Sequence, residues 1–181
     1  MNYSLKKGFT LIELLIVVAV IGILASVILV GLSGFRQAGR DSRRIQDLAR
    51  MRNALELYFN RCRFYPGTPA CAANSFAATA VAGPPPGQAS WTELTADLTG
   101  SGLGLDQVPN DPLIGSRSYT YARSANGLHY FMAANLEDPN NSALRDSYHG
   151  DPTVAPYSIG GSVPAATCVL ASNPTYYCVV F

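Results

Sequence analysis

The chain has 181 residues, a formal net charge of +1, 48% apolar and 14% charged residues. So few charges, against about 25% in an average domain, with ordinary hydrophobicity exclude a disordered acidic or basic protein, and no whole-chain field steers it toward nucleic acid. Twelve Pro and sixteen Gly argue against an all-helical bundle, and two His with four Cys leave little material for a metalloenzyme.

The averages hide a partition. The long apolar run lies in the first 35 residues. Residues 36–63 carry eight Arg (Arg36, Arg40, Arg43, Arg44, Arg50, Arg52, Arg61, Arg63) against Asp41, Asp47 and Glu56, a net of +5. Residues 64–181 carry three Arg against eight carboxylates, a net of −5. An apolar, a basic and a mildly acidic part suit three different environments.

The chain opens on a short polar leader containing Lys6 and Lys7. Phe9 to Leu32 follow, 24 residues with Glu13 as the single charge. A helix of that length reaches about 36 Å, enough to cross a hydrocarbon core of about 30 Å. The segment therefore reads as entering a bilayer. A conventional secretory signal would cut near Leu24-Ala25-Ser26, but a carboxylate inside the apolar core opposes it. A lipoprotein signal needs a Cys directly after the run, and the first Cys is Cys62. A cut between Gly8 and Phe9 keeps the whole helix.

The run Lys6-Lys7-Gly8-Phe9-Thr10-Leu11-Ile12-Glu13-Leu14-Leu15-Ile16-Val17-Val18-Ala19-Val20-Ile21-Gly22-Ile23-Leu24-Ala25 resembles the leader and helix start of type IV pilins and type II secretion pseudopilins. The resemblance implies that a prepilin peptidase cuts after Gly8 and N-methylates Phe9. Glu13 then matches the family's glutamate five residues into the mature chain, and Gly22 its helix glycine. Many members have a proline where this chain has Val30, near which their helices often melt. Gly31, Gly34 and Gly39 are the loosening points available here.

Glu13 has its own physical logic. An ionised group deep in a bilayer costs at least about 2.5–3.5 kcal/mol, so it needs a partner or a role. Phe9 and Glu13 are four apart and share a helix face. The amine freed at Phe9 can meet Glu13 within the chain or on a neighbouring subunit, where the pair would fix axial register. The plainer reading is a Glu that reaches to the near interface. One signal opposes the implied topology: Arg36, Arg40, Arg43 and Arg44 outnumber Lys6 and Lys7, and positive charge favours the cytoplasmic side. The specific leader and a cysteine pattern that suggests export outweigh it.

Beyond Arg36, the apolar residues Ile45, Leu48, Met51, Leu55, Tyr58 and Phe59 step by three and four, which predicts an amphipathic helix. No Pro interrupts Phe9 to Tyr65, so one helix of about 50 residues is expected. Its Arg cluster reads as a solvated face, as contacts to acidic heads of adjacent subunits, or as a surface for anionic lipid or DNA. No interleaved aromatics support strand stacking.

Past Tyr65-Pro66-Gly67 the helix signals stop. Residues 72–90 form a low-complexity Ala/Pro/Gly loop. Trp91 to Leu98 reads as a short helix with Ser90 or Thr92 near its cap. Ser118–Arg123 and Leu128–Leu136 flank the turn Ser124-Ala125-Asn126-Gly127 as hairpin strands, and Tyr176–Phe181 as a last strand. Tyr119 and Tyr121 share one face; so do Leu128, Tyr130 and Met132. The fold class is α+β: one long helix against a small antiparallel sheet of three or four strands, which the resemblance implies too. The expected organisation is a leader (1–8), a transmembrane and assembly half of the helix (9–34), an amphipathic half (35–62) and a globular head (63–181). The stretch Val108-Pro109-Asn110-Asp111-Pro112 before the Tyr-rich hairpin is also similar to secretion pseudopilins.

Cys62, Cys71, Cys168 and Cys178 have no zinc spacing. An even count in an exported, loop-rich body suggests two disulfides. Local pairing would close loops of about ten residues, each contributing roughly 2.5–3 kcal/mol; sequence leaves the other pairings open. A C-terminal disulfide loop resembles that of many type IV pilins. The stretch Leu136 to Asp146 gathers oxygen ligands in Asp138, Asn140 and Asp146. Because some pseudopilins hold calcium nearby, calcium is a candidate, although Ala143 and His149 stand where an EF-hand needs Gly and Glu. A plain Asp-Pro-Asn-Asn turn is the alternative. His129 and His149 have no evident nucleophile or carboxylate arrangement, and no catalytic constellation emerges.

The expectation is a non-enzymatic subunit, held in the inner membrane before assembly, that polymerises into a cell-surface type IV pilus. Its partners would be its own copies, the prepilin peptidase, an inner-membrane assembly platform and lipid. The alternatives are a type II secretion pseudopilin, or an anchored minor pilin that binds DNA or calcium.

Overall fold

The computed structural model describes residues 9–67, 71, 91–159, 168 and 175–181. Two compact units divide the chain, Met1–Gly39 and Arg40–Phe181. Helix α1 runs over Leu11–Cys62. Its backbone is helical through Val30, Gly31, Gly34 and Gly39.

In the first unit, Leu11, Ile12, Leu14, Leu15, Ile16, Val17, Val18, Val20, Ile21, Ile23 and Leu24 are all exposed. These apolar side chains surround the helix instead of forming a stripe. A helix apolar on every side needs an apolar medium or other helices around it.

In the second unit the stem becomes amphipathic. Leu48, Met51, Ala54, Leu55, Tyr58 and Cys62 are buried at the three-and-four spacing the sequence predicts. Leu57, on the other face, is exposed. Arg63 ends α1 in the left-handed region (φ 63°), its N–H donating to the Phe59 carbonyl at 2.8 Å. This αL cap is usually made by Gly.

Helix α2 spans Trp91–Gly100 and buries Leu94 and Leu98. Thr92 lies within its first turn, and the alternative cap Ser90 lies outside the described residues, as does the Ala/Pro/Gly stretch 72–90. Strands β1 (Thr120–Arg123), β2 (Tyr130–Asn135) and β3 (Tyr176–Val180) form one antiparallel sheet in the order β1-β2-β3. The register sets Tyr121 opposite Met132 and Ala133 opposite Cys178. Each strand is shorter than the sequence suggests. Leu128, expected on the inner face of the second strand, sits in the preceding turn and is exposed.

The strand alternation produces two cores. Tyr121, Tyr130, Met132 and Ala134, with Tyr119 just before β1, pack against Leu48, Met51, Leu55 and Tyr58 of α1. Ala122, Phe131, Ala133 and Cys178 face the other way, onto Ile159, Cys168 and the partly buried Tyr148 and Tyr157. A sheet packed on one helix would leave this second face to solvent. Instead a layer of loop covers it, which explains why β2 is buried on both faces.

Disulfides join Cys62 to Cys71 and Cys168 to Cys178. The first ties the last residue of α1 to the chain beyond it, where the Cys71 N–H donates to Tyr58 Oη at 2.9 Å. The second fixes residue 168 against β3.

Candidate functional site

Two groups of residues stand out, one in each unit. In the first, Thr10 precedes α1 and Glu13 lies in its first turn. The Glu13 carboxylate accepts the Thr10 N–H at 2.8 Å and its hydroxyl at 2.7 Å, while the Glu13 N–H approaches Thr10 Oγ1 at 3.4 Å. This is a capping box, worth about 0.5–2 kcal/mol to the helix start. The Thr10-x-x-Glu13 spacing is its signal in the sequence. Glu13 thus has a local partner while the nitrogen of Phe9 is still a peptide nitrogen. Phe9 itself is 88% exposed. Gly8, on the other side of the expected cut, lies outside the described residues.

The second group is built from α1 and two loops. Arg44 is completely buried. Its Nε donates to Asp111 Oδ2 at 2.7 Å and its Nη2 to Asp111 Oδ1 at 2.9 Å. Its Nη1 donates to Asp41 Oδ1 and to Glu137 Oε1, both at 2.7 Å. One turn earlier, Arg40 grips Glu137 through Nε at 2.7 Å and Nη2 at 2.5 Å. Asp41 also accepts the backbone N–H groups of Glu137 and Asp138. Arg44, Asp41 and Asp111 therefore satisfy one another where water is excluded, and the part-exposed Arg40–Glu137 pair closes the cluster at its rim, the condition under which a buried ion cluster is tolerated.

The electrostatics follow. The bonds from Arg40 outweigh the upward push of burial and, with the bond from Arg44 and the charge of both guanidinium groups, hold the Glu137 carboxyl down at about 2. Burial pushes the Asp111 carboxyl upward, but the bonds from Arg44 and the Leu113 N–H outweigh it, and the net direction is down. Burial lowers Arg44, yet its three carboxylate partners raise it above an ordinary arginine. A turn further on, Asp47 accepts the Tyr119 hydroxyl at 2.8 Å. Burial first, then that carboxylate, keeps the phenol protonated.

This corrects the reading of the basic stem. Arg44 is not on a solvated face but wholly buried, and Arg40, with 31% of its side chain exposed, is held by Glu137. Apart from Asp41, three residues before Arg44, their counter-charges are 67 to 97 residues away in the same chain, where no local pattern could show them.

Asp138, Asn140 and Asp146 are placed as follows. Asp138 Oδ1 accepts the Asn140 N–H at 2.9 Å, closing an Asx turn. Asn141 caps the short 3-10 helix Ser142–Asp146 by accepting the Ala143 N–H. Asp146 is exposed at the end of that helix. Among the described residues no cluster of three or more His, Cys, Asp or Glu is placed to hold a metal ion. His129 Nδ1 lies 3.1 Å from the Phe181 carbonyl. His149 Nε2 lies 3.3 Å from Ser147 Oγ, a hydroxyl that already donates to the Leu144 carbonyl at 3.0 Å.

Comparison with known proteins bears on the N-terminal segment. Residues 3–29 match the family model of the prokaryotic N-terminal methylation motif. The chain is similar to type II secretion system core protein G of Escherichia coli (strain K12), 33% identical over 63 residues, 35% of this chain and 43% of that protein. It is also similar to the type IV major fimbrial protein FimA of Dichelobacter nodosus, 47% identical over 53 residues, 29% of this chain and 34% of that protein. The chain thus spans less than half the length of these curated relatives. No solved structure matches. The chain carries the methylation motif of prepilin-type proteins on an α+β, pilin-like fold.

Among the described residues no helix is long and apolar enough to cross a membrane. The sequence run Phe9–Leu32 includes residues 27–32, whose side chains are outside the description.

Proposed function

We propose that this chain is a structural subunit, not an enzyme, that is cut after Gly8, N-methylated on Phe9 and polymerised into a type IV pilus through its apolar helix. The observation that carries the reading is the exposure of apolar side chains on every side of α1 from Leu11 to Leu24, with one carboxylate near its start. Lipid would hold this surface before assembly and other copies of the helix after it, so the filament core would form by transferring helix surface from lipid into packed helices. Once the leader is gone, the amine on Phe9 of one copy and Glu13 of another supply the pair that fixes register. The prepilin peptidase and an inner-membrane assembly platform are the partners this route needs.

Electron microscopy of material sheared from cells expressing the chain with a prepilin peptidase tests this. Long filaments containing the chain support it; processed protein that never leaves the membrane counts against it. The likeness to type II secretion system core protein G favours a second reading, a pseudopilin, for which the same micrographs would show only short filaments.

A further inference from the structure

The sheet ends on one rung that breaks the pattern of its second face. Ala122, Phe131, Ala133 and Cys178 on that face are buried. Thr120 pairs with Ala133, and Asn135 with Tyr176. Alternation along the strands therefore sets Thr120, Asn135 and Tyr176 on the same face, at the end where β1 starts, β2 stops and β3 starts. All three are polar and only half-buried. A cavity of about 390 Å³ opens beside them, lined also by Ser116, Arg117 and Ser118 of the turn before β1. Its volume falls within the range of about 300–1,000 Å³ common to small-ligand sites.

Arg117 is pinned in the cavity wall. Its Nη1 donates to the Asn135 carbonyl at 2.7 Å and to the Leu136 carbonyl at 3.1 Å, where β2 ends. This leaves the Nε–Nη2 edge, the edge through which Arg44 takes the Asp111 carboxylate, without a bond among the described residues. Asp111 feels the charge of Arg117 but is already engaged by Arg44. The side chains of Ser118, Thr120, Asn135 and Tyr176 also make no hydrogen bond among the described residues. No carboxylate and no aliphatic side chain belongs to the described lining.

We propose that this cavity binds an acidic saccharide unit, with its carboxylate on the Nε–Nη2 edge of Arg117 and its ring hydroxyls on Ser118, Thr120 and Asn135. Hydroxyl and carboxamide groups both donate and accept, which matches a ligand carrying several hydroxyls. One planar cation with an open edge matches one carboxylate, taken in two parallel bonds. A bare anion would leave the hydroxyl and carboxamide groups unused, a neutral sugar would leave the guanidinium unused, and an apolar ligand would meet one phenol ring. That ring, Tyr176, packs on the second core and also lines the cavity, so it offers a flat apolar surface with a polar tip to the face of a sugar ring. The site lies wholly within the Arg40–Phe181 unit, so it holds or fails independently of the polymerisation reading.

Saturation-transfer NMR of the full chain in detergent tests this, with glucuronate as the probe and glucose and acetate as controls. Glucuronate signals should exceed those of glucose at least about fivefold, and an equal concentration of acetate should not remove them. Arg117→Gln, and Ser118→Trp, which puts an indole into the cavity, should each abolish the glucuronate signal with near-ultraviolet circular dichroism unchanged, while Arg50→Gln should not. Ser118 is exposed, so its variant decides the matter where Arg117→Gln loosens the end of β2. Four results would each overturn the proposal: no glucuronate signal from the unsubstituted chain, a signal kept in a folded variant of either site residue, equal signals from glucose, or displacement by acetate.

Discussion

The guanidinium of Arg44 meets the carboxylate of Asp111 side by side, through two parallel N–H···O bonds of 2.7 and 2.9 Å, with both side chains out of contact with water. The pair joins the stem of α1 to the loop that leads into the hairpin. Asp41 and Glu137 complete the cluster, so three separate parts of the chain converge on one cation.

Arg44→Met should therefore cost about 3–5 kcal/mol of folding stability, because it strands buried carboxylates instead of deleting a complete network. Arg44→Lys should recover only part of this, since an ammonium cannot make the paired bonds to Asp111. Denaturant titration of the full chain in detergent, following the loss of tertiary signal, measures both. Wild-type stability in Arg44→Met would refute the structural role of the cluster.

Acid should act through Glu137. Its carboxyl titrates near 4.5 in an ordinary setting and is held at about 2 in the fold. The unfolded chain thus binds the proton more readily, and stability rises with pH between those values. The contribution is complete above pH of about 4.5 and is lost as pH falls through about 2. Glu137→Gln should lower stability at neutral pH and flatten this acid limb. An unchanged limb in the variant would show that other groups govern it.

Removing a disulfide should be costly for either pair. The sequence separations are 9 and 10, for which chain entropy gives about 2.5–3 kcal/mol each. Paired Cys→Ser variants at Cys62 and Cys71, or at Cys168 and Cys178, should show losses of this size in the same titration. The Cys62–Cys71 pair should also loosen the last turn of α1, read as faster amide exchange around Tyr58.

Thr10 and Glu13 separate two roles of one carboxylate. If Glu13 served only to cap the helix, Thr10→Ala and Glu13→Ala would impair assembly alike. On the register reading, Glu13→Ala should abolish filaments with cleavage intact, while Thr10→Ala should cost no more than about 0.5–2 kcal/mol of helix stability and leave most of the yield. Filament counts on the two variants decide between them.

Local features were readable from sequence because their causes are local. The steps from Leu48 through Met51 and Leu55 to Tyr58 place one face of the stem against the sheet, and the alternating tyrosines at 119 and 121 point to that face. The Asn126-Gly127 turn placed the hairpin, with Gly127 at φ 69° supplying a backbone form that side-chain-bearing residues rarely adopt. The burial of Arg44 and the pairing of Arg40 were not readable: charge on a helix ordinarily means solvent, and Asp111 and Glu137 come from loops remote in sequence. Nor was the loop layer over Phe131 and Ala133, since the short apolar run of β2 reads equally well as a strand covered on one face or on two. The capping box was written in Thr10-x-x-Glu13 but was masked by the more conspicuous question of an acid in an apolar helix.

The mass of the subunit recovered from sheared filaments tests polymerisation through a retained apolar helix most directly. Cleavage after Gly8 with one methyl group on the amine of Phe9, found in the polymerised material, is the predicted result. A subunit that retains Met1, or one that begins near Val27 without its apolar helix, would contradict it.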